Sequence, residues 1–293
     1  MALTIHAHSD EVISPEEFLD YVAANVDADS IDSVAAAAPM LSALNNNKTF
    51  LRDLLHDDMR KILNGEMSAL YSLQSAIVAK KDRFSVRANF WTIPNSTPRR
   101  MQREDKILSY REPHDHNFIF MTVGHIGPGY RTVIHEYDKS KVVGYVGENV
   151  ELKFLEETTL PEGKIMLYRP CVDIHTQYYP EKPSVSINLM VPPEDEVLRD
   201  QYFFDTNAGV ILGYVPTNVS IRVSIIDIVS KFADDNTVQL LQDTVQRHPC
   251  VRTKHAALMG LAGLVDETEV RRIAENIPQT NSWLNMHLGD YVR

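Results

Sequence analysis

From residue 75 to residue 191 the chain is cut into short apolar-rich runs by turn residues, and this punctuation restricts the fold more than any other feature. Residues 76–79 and 84–91, separated by Lys80-Lys81-Asp82-Arg83, read as a β-hairpin. In its second arm Phe84, Val86, Ala88 and Phe90 alternate with Arg87, Asn89 and Trp91, so the first set is the natural buried face. After a loop over 94–103, further strands are expected over 106–110, 118–123, 130–137, 142–146, 150–155, 164–168 and 185–191. Turn chemistry lies between them, as in Gly124-His125-Ile126-Gly127-Pro128-Gly129 and Pro161-Glu162-Gly163. Many short strands at close spacing predict a sandwich or a small barrel.

Helical patterns flank this region. Ser14-Pro15-Glu16-Glu17 carries an N-cap, a proline at the first helical position and acids in the first turn. Further helices are expected over 31–44 and 49–63. After a second hairpin, 202–204 with 210–212, four short amphipathic helices are expected over 220–232, 237–246, 253–264 and 267–277. The expected organisation is α+β: an N-terminal helical segment (1–74), a β-barrel (75–215) and a C-terminal helical segment (216–293) that packs on the barrel or mediates a homodimer.

Composition narrows the partners. Of 293 residues 44% are hydrophobic, enough for a substantial core. The formal net charge is −11 without a long basic patch, which argues against nucleic acid and against an anionic membrane surface. No apolar run approaches transmembrane length, and Met1-Ala2-Leu3-Thr4-Ile5-His6 lacks the layout of a signal peptide. Two cysteines, Cys171 and Cys250, are too few for a disulfide framework and fit a reducing cytoplasm; both are expected to be buried or half-buried thiols.

Chemistry enters at Pro113-His114-Asp115-His116-Asn117-Phe118. At the start of a strand His114 and His116 share a face and Asp115 takes the other. Two neighbouring neutral imidazoles can chelate a divalent ion such as zinc, iron, copper or nickel. A metal site with open positions needs about three protein ligands. The candidates for the third are His125, His135, Glu136 and His175. His175 has the best context, because it follows a turn (Pro161-Glu162-Gly163), a strand and a bend containing Pro170.

These two blocks resemble the two motifs of the cupin superfamily, small double-stranded β-helix barrels. The first motif carries His-x-His and a glutamate a few residues on; the second carries Pro-x-Gly, a strand and a single histidine. His114 and His116 match the first pair, and Pro161, Gly163 and His175 match the second block. The likeness covers residues 107–191, with room for an inserted hairpin. It departs where cupins place the glutamate, since Phe120 and Met121 stand there. The resemblance therefore implies a three-histidine site of the kind found in thiol-dioxygenase-like iron enzymes, with Glu136 or His135 as a less favoured fourth ligand.

On the strand over 130–137, Arg131, Val133, His135 and Tyr137 alternate with Thr132, Ile134 and Glu136. If the first set points inward, Arg131 and His135 are pocket residues. Arg131 would then hold a substrate carboxylate through its two-pronged guanidinium, with Arg87 and Arg169 as rivals. His125 is a pocket candidate from the turn, and His135 or Tyr130 a candidate acid or base. The leading expectation is a mononuclear non-haem Fe(II) oxygenase acting with O2 on a small molecule or a peptide residue. A 2-oxoglutarate-dependent hydroxylase is a variant of it. A Zn, Mn or Ni cupin acting as isomerase, lyase or hydrolase, and a non-catalytic binding module, are the alternatives.

Overall fold

The computed structural model describes residues 3–66, 72–93, 105 and 107–275. The loop expected over 94–103, residue 106 and the last two residues of the helix expected over 267–277 lie outside them. The chain divides into two compact units, one of residues 1–139 and 151–194, the other of 140–150 and 195–293.

The first unit opens with α1 (Pro15–Asn25), α2 (Ile31–Ala36), α3 (Ala38–Asn46) and α4 (Phe50–Leu63). At α1 the Ser14 hydroxyl accepts from the Glu17 N–H, and the Glu17 carboxylate accepts from the Ser14 N–H, a reciprocal cap. The helix expected over 31–44 is two helices meeting at Ala37. Pro39 has no N–H to donate, and its ring clashes with the carbonyl four residues back, so a continuous helix cannot pass it.

Among the described residues this unit has nine strands, the first of them unexpected from the sequence: β1 (Leu3–Ile5), β2 (Ser75–Lys81), β3 (Phe84–Trp91), β4 (Ile119–Ile126), β5 (Arg131–Glu136), β6 (Lys153–Thr159), β7 (Ile165–Tyr168), β8 (Asp173–Tyr178) and β9 (Ser184–Val191). They form a six-stranded sheet, β1-β7-β4-β9-β3-β2, and a three-stranded sheet, β6-β5-β8. An antiparallel bridge between His114 and His175 adds the segment before β4 to the free edge of β8. Along the chain, β3 is in the larger sheet, the His114 segment in the smaller, β4 in the larger, β5 and β6 in the smaller, β7 in the larger, β8 in the smaller and β9 in the larger. This strand order is that of a double-stranded β-helix, the cupin-like barrel.

The larger sheet is covered on both faces. Phe84, Val86, Ala88, Ile119, Met121, Val123, Ile187, Leu189 and Val191 pack with Phe18, Leu19, Val22, Leu41 and Leu44 of the helices. Trp91, Phe120, Met166 and Tyr168 turn the other way and meet Tyr110, Tyr130, Ile134 and Leu160 inside the barrel. The face of β3 read as buried is thus the one under the helices, and Arg87 falls on the barrel side.

Four strand expectations change, the first being the strand expected over 150–155, which is displaced to β6 at Lys153–Thr159. Among the described residues of 106–110 there is a tight turn, with Ser109 at φ 52°, and only Tyr110 pairs, in a single parallel bridge to Gln177. β4 runs on through Gly124-His125-Ile126, which had read as a turn, because a bulge there lets pairing with β9 continue. Residues 142–146 are not a strand: the Glu148 carboxylate accepts the N–H groups of Val143, Gly144 and Tyr145, which a ladder would otherwise use.

In the second unit β10 (Tyr202–Asp205) and β11 (Val210–Tyr214) make the expected hairpin. Four helices follow: α5 (Asn218–Ser230), α6 (Asp235–Arg247), α7 (Val251–Ala262) and α8 (Glu267–Glu275). Leu241, Val245, Ala257, Leu258, Leu261, Val270 and Ile273 form a separate small core. Cys171 and Cys250 are both buried free thiols. Among the described residues no helix is long and apolar enough to cross a membrane.

Candidate metal centre

The backbone of the His114 segment and that of β8 bring three imidazoles together. His114 N–H donates to the His175 carbonyl and His175 N–H to the His114 carbonyl, at 3.2 and 3.0 Å. The Cys171 N–H, in a residue at φ 53°, donates to the His116 carbonyl and draws this segment against the turn before β8. Alternation holds: Asp115 turns away from its two neighbours, is fully buried, and accepts from the Tyr137 hydroxyl at 2.7 Å.

The Nε2 atoms of His114 and His116 each lie 3.1 Å from Nε2 of His175. The three nitrogens all fall within 4.8 Å of one another. Nitrogens bound to one ion at about 2.0–2.1 Å sit about 3–3.4 Å apart when neighbouring, so the two 3.1 Å spacings fit a shared ion. His114 Nδ1 is 2.7 Å from the Glu112 carbonyl oxygen. A carbonyl only accepts, so Nδ1 carries the hydrogen and the neutral ring presents a bare Nε2 lone pair. At His175 the Gln177 carboxamide lies 2.9 Å from Nδ1. Amide oxygen and nitrogen are told apart only by their partners. The same carboxamide atom is 3.0 Å from Nε2, so Gln177 holds the ring without selecting its tautomer.

Where two of these nitrogens are both unprotonated, their lone pairs repel at 3.1 Å unless a cation stands between them. Protons are disfavoured there. Burial pushes the His114 imidazole down from its ordinary range. Burial, the neighbouring histidines and the Arg87 guanidinium push His116 and His175 well down. A divalent ion is the cation that such neutral nitrogens take. The donor set of His114, His116 and His175 therefore fits a metal.

The surroundings are aromatic. Phe120 packs edge-on to His116 at 4.8 Å and to His175 at 5.6 Å between ring centres, and it stacks on Tyr168 at 4.4 Å. Phe118 lies 4.8 Å from His116. Where the cupin pattern has a carboxylate, this site has the Phe120 ring, while Met121 belongs to the helix-side core.

Of the three arginines, the structure brings Arg87 to the triad, where its charge acts on all three imidazoles. Arg131 points outward, over the Tyr178 ring at 3.7 Å and paired with Glu157 at 2.6 Å. Arg169 pairs with Asp173 and with Glu136. On β5, Thr132 and Ile134 are buried and Arg131, Val133 and His135 are only half-buried, which reverses the conditional inward placing of Arg131 and His135. The His135 ring rests on Phe154. Glu136, held down to about 2 by Arg169 and Lys153, is not in the histidine cluster. Tyr130 is inside the barrel, its ring centre 4.0 Å from that of Trp91, and burial pushes its hydroxyl up. His125 is under the helices, where its Nδ1 bonds Asn45 at 2.8 Å and its ring meets Phe50.

Three inner polar residues escaped the sequence reading: Gln177, Asn188 and Thr122. A signal existed, since Asn188 and Thr122 interrupt strands that are otherwise almost wholly apolar or small.

Neither a family model nor a curated protein matches the sequence. Among solved structures the chain is similar to salicylate 1,2-dioxygenase from Pseudaminobacter salicylatoxidans, at 11% identity over 53% of this chain and 37% of that one, TM-score 0.29. It is also similar to hydroquinone 1,2-dioxygenase PnpCD, at 11% identity over 42% and 66%, TM-score 0.25. A third is FeII HppE, at 13% identity over 37% and 42%, TM-score 0.21. The match thus spans little more than a third of the salicylate dioxygenase. Likenesses this slight carry no weight for chemistry; the barrel stands on its strand order and the site on its side chains.

Proposed function

We propose that this chain is a cupin-type oxygenase that holds one Fe(II) ion on His114, His116 and His175 and acts with O2 on a small molecule or a peptide residue. The observation that carries the reading is the set of two buried imidazoles and one half-buried one, with the Nε2 atoms of His114 and His116 each 3.1 Å from that of His175. The preference for iron over Zn, Mn or Ni rests on the resemblance to three-histidine cupins. When bound, iron would supply O2 activation and orient the substrate.

The chain's own groups do the rest. Glu112 fixes ring orientation and tautomer at His114, and Gln177 packs its carboxamide against the His175 ring. Phe118, Phe120 and Tyr168 shield the triad from water. Arg87 supplies positive charge on the substrate side, in the role first considered for Arg131 and Arg169.

Oxygen uptake by the Fe(II)-loaded protein, with and without 2-oxoglutarate, over a panel of small carboxylates tests this. Uptake without 2-oxoglutarate is expected. Uptake that requires it would move the reading to the hydroxylase variant. Bound zinc or manganese with no uptake would replace it by the non-redox class.

A further inference from the structure

The inner face of the six-stranded sheet holds a row of polar side chains, two of which carry an atom with no hydrogen-bond partner among the described residues. Arg87 on β3 lies opposite Asn188 on β9, and Asn188 lies opposite Thr122 on β4. Residues directly opposite share a face, and the sequence neighbours Val86, Ala88, Leu189, Met121 and Val123 all belong to the helix-side core. The three side chains therefore make one row inside the barrel. Thr122 is 0% exposed and Asn188 3%. Among the described residues the Thr122 Oγ1 and the Asn188 Nδ2 have no hydrogen-bond partner. Burying a donor without an acceptor destabilises a fold, and two such groups beside a guanidinium point to an absent acceptor.

We propose that Arg87, Asn188 and Thr122 form the anion subsite of the active site and take the carboxylate of a small substrate or co-substrate. All three offer donors: guanidinium N–H, carboxamide N–H and hydroxyl O–H. The register continues to Ile77 beyond Arg87 and to Met166 beyond Thr122, so no acid shares the row. A planar, doubly accepting carboxylate matches the fork of the guanidinium and leaves an oxygen for Asn188. Phe120, which packs on His116 and His175, is two residues before Thr122 on the same face, a step of about 7 Å along the strand. A carboxylate held on the row places atoms about three to five bonds away beside the histidines. This assignment rests on the oxygenase reading and deepens it by naming the substrate class.

Calorimetric titration of the protein as purified with benzoate, succinate and 2-oxoglutarate, each beside its primary amide, tests the subsite. At least one carboxylate should bind about tenfold more tightly than its amide, and Arg87→Gln should remove that preference. Thr122→Val, which replaces an unpartnered hydroxyl by a methyl of the same shape, should weaken carboxylate binding about fivefold while the melting temperature holds or rises. Preference confined to 2-oxoglutarate assigns the row to a co-substrate; preference for the others assigns it to the substrate. Absence of any carboxylate preference, or a preference intact in folded Arg87→Gln, overturns the subsite. If Arg87→Gln does not fold, unchanged affinity in Thr122→Val overturns it equally. Metal content separates the two readings: carboxylate preference in a protein that takes up no metal sinks the oxygenase and spares the subsite, and bound iron without that preference does the reverse.

Discussion

His114 shows how a backbone carbonyl prepares a ligand. The Glu112 oxygen 2.7 Å from Nδ1 fixes the hydrogen there, so Nε2 faces His175 bare. Gln177 holds the His175 ring through a side chain, 2.9 Å from Nδ1 and 3.0 Å from Nε2, which makes it open to mutation. Gln177→Leu should leave a folded protein whose metal affinity, measured by chelator competition, falls about 10–100-fold. Arg131, outward and partly exposed beside Glu157, predicts the opposite: Arg131→Ala should leave metal content unchanged and shift stability by less than about 1 kcal/mol. Residue chemistry made the triad legible, because two histidines on one strand face and a third after Pro-x-Gly are rare together. The phase of β5 was not legible. Its sequence Arg-Thr-Val-Ile-His-Glu carries one β-branched apolar residue on each face, Val133 on one and Ile134 on the other. Only pairing with β8 and β6 decides which face turns inward.

Elements hold the site through their junctions. Between β4 and β5 the chain turns at Gly129, with φ 80°, where an added Cβ would strike the Leu160 carbonyl. Backbone on both sides leaves no flexible group to move aside, so Gly129→Ala should cost more than about 3 kcal/mol in chemical denaturation. Ser14→Ala, which removes only the reciprocal cap of α1, should cost about 1 kcal/mol in the same assay. The cap, the first hairpin and the strands β5, β7 and β9 were readable because local residue pattern decides them. The 142–146 segment was not, since its N–H groups are claimed by one carboxylate, Glu148, rather than by a ladder. The continuation of β4 through His125 was hidden for a related reason. Turn residues flank it, and the bulge that keeps it paired depends on β9, some 60 residues further along the chain.

At the scale of the molecule, neutral buried histidines tie stability to pH. His125, 0% exposed between β4 and the helices, is held down to about 4 by burial, against about 6.5 when unfolded. Between those values the unfolded chain binds the extra proton. The contribution of His125 is therefore complete above pH 6.5 and is lost as pH falls toward 4, on the order of 3 kcal/mol in all. The three site histidines, also lowered, act in the same direction. The melting temperature of metal-free protein should drop between pH 6.5 and 4, and less steeply in His125→Gln; a flat profile would contradict the buried neutral state. Metal analysis of protein purified without added metal, beside folded His175→Ala, tests the centre most directly. About one iron per chain is predicted for the natural sequence and almost none for the variant. Equal metal content in the two proteins would contradict the three-histidine site.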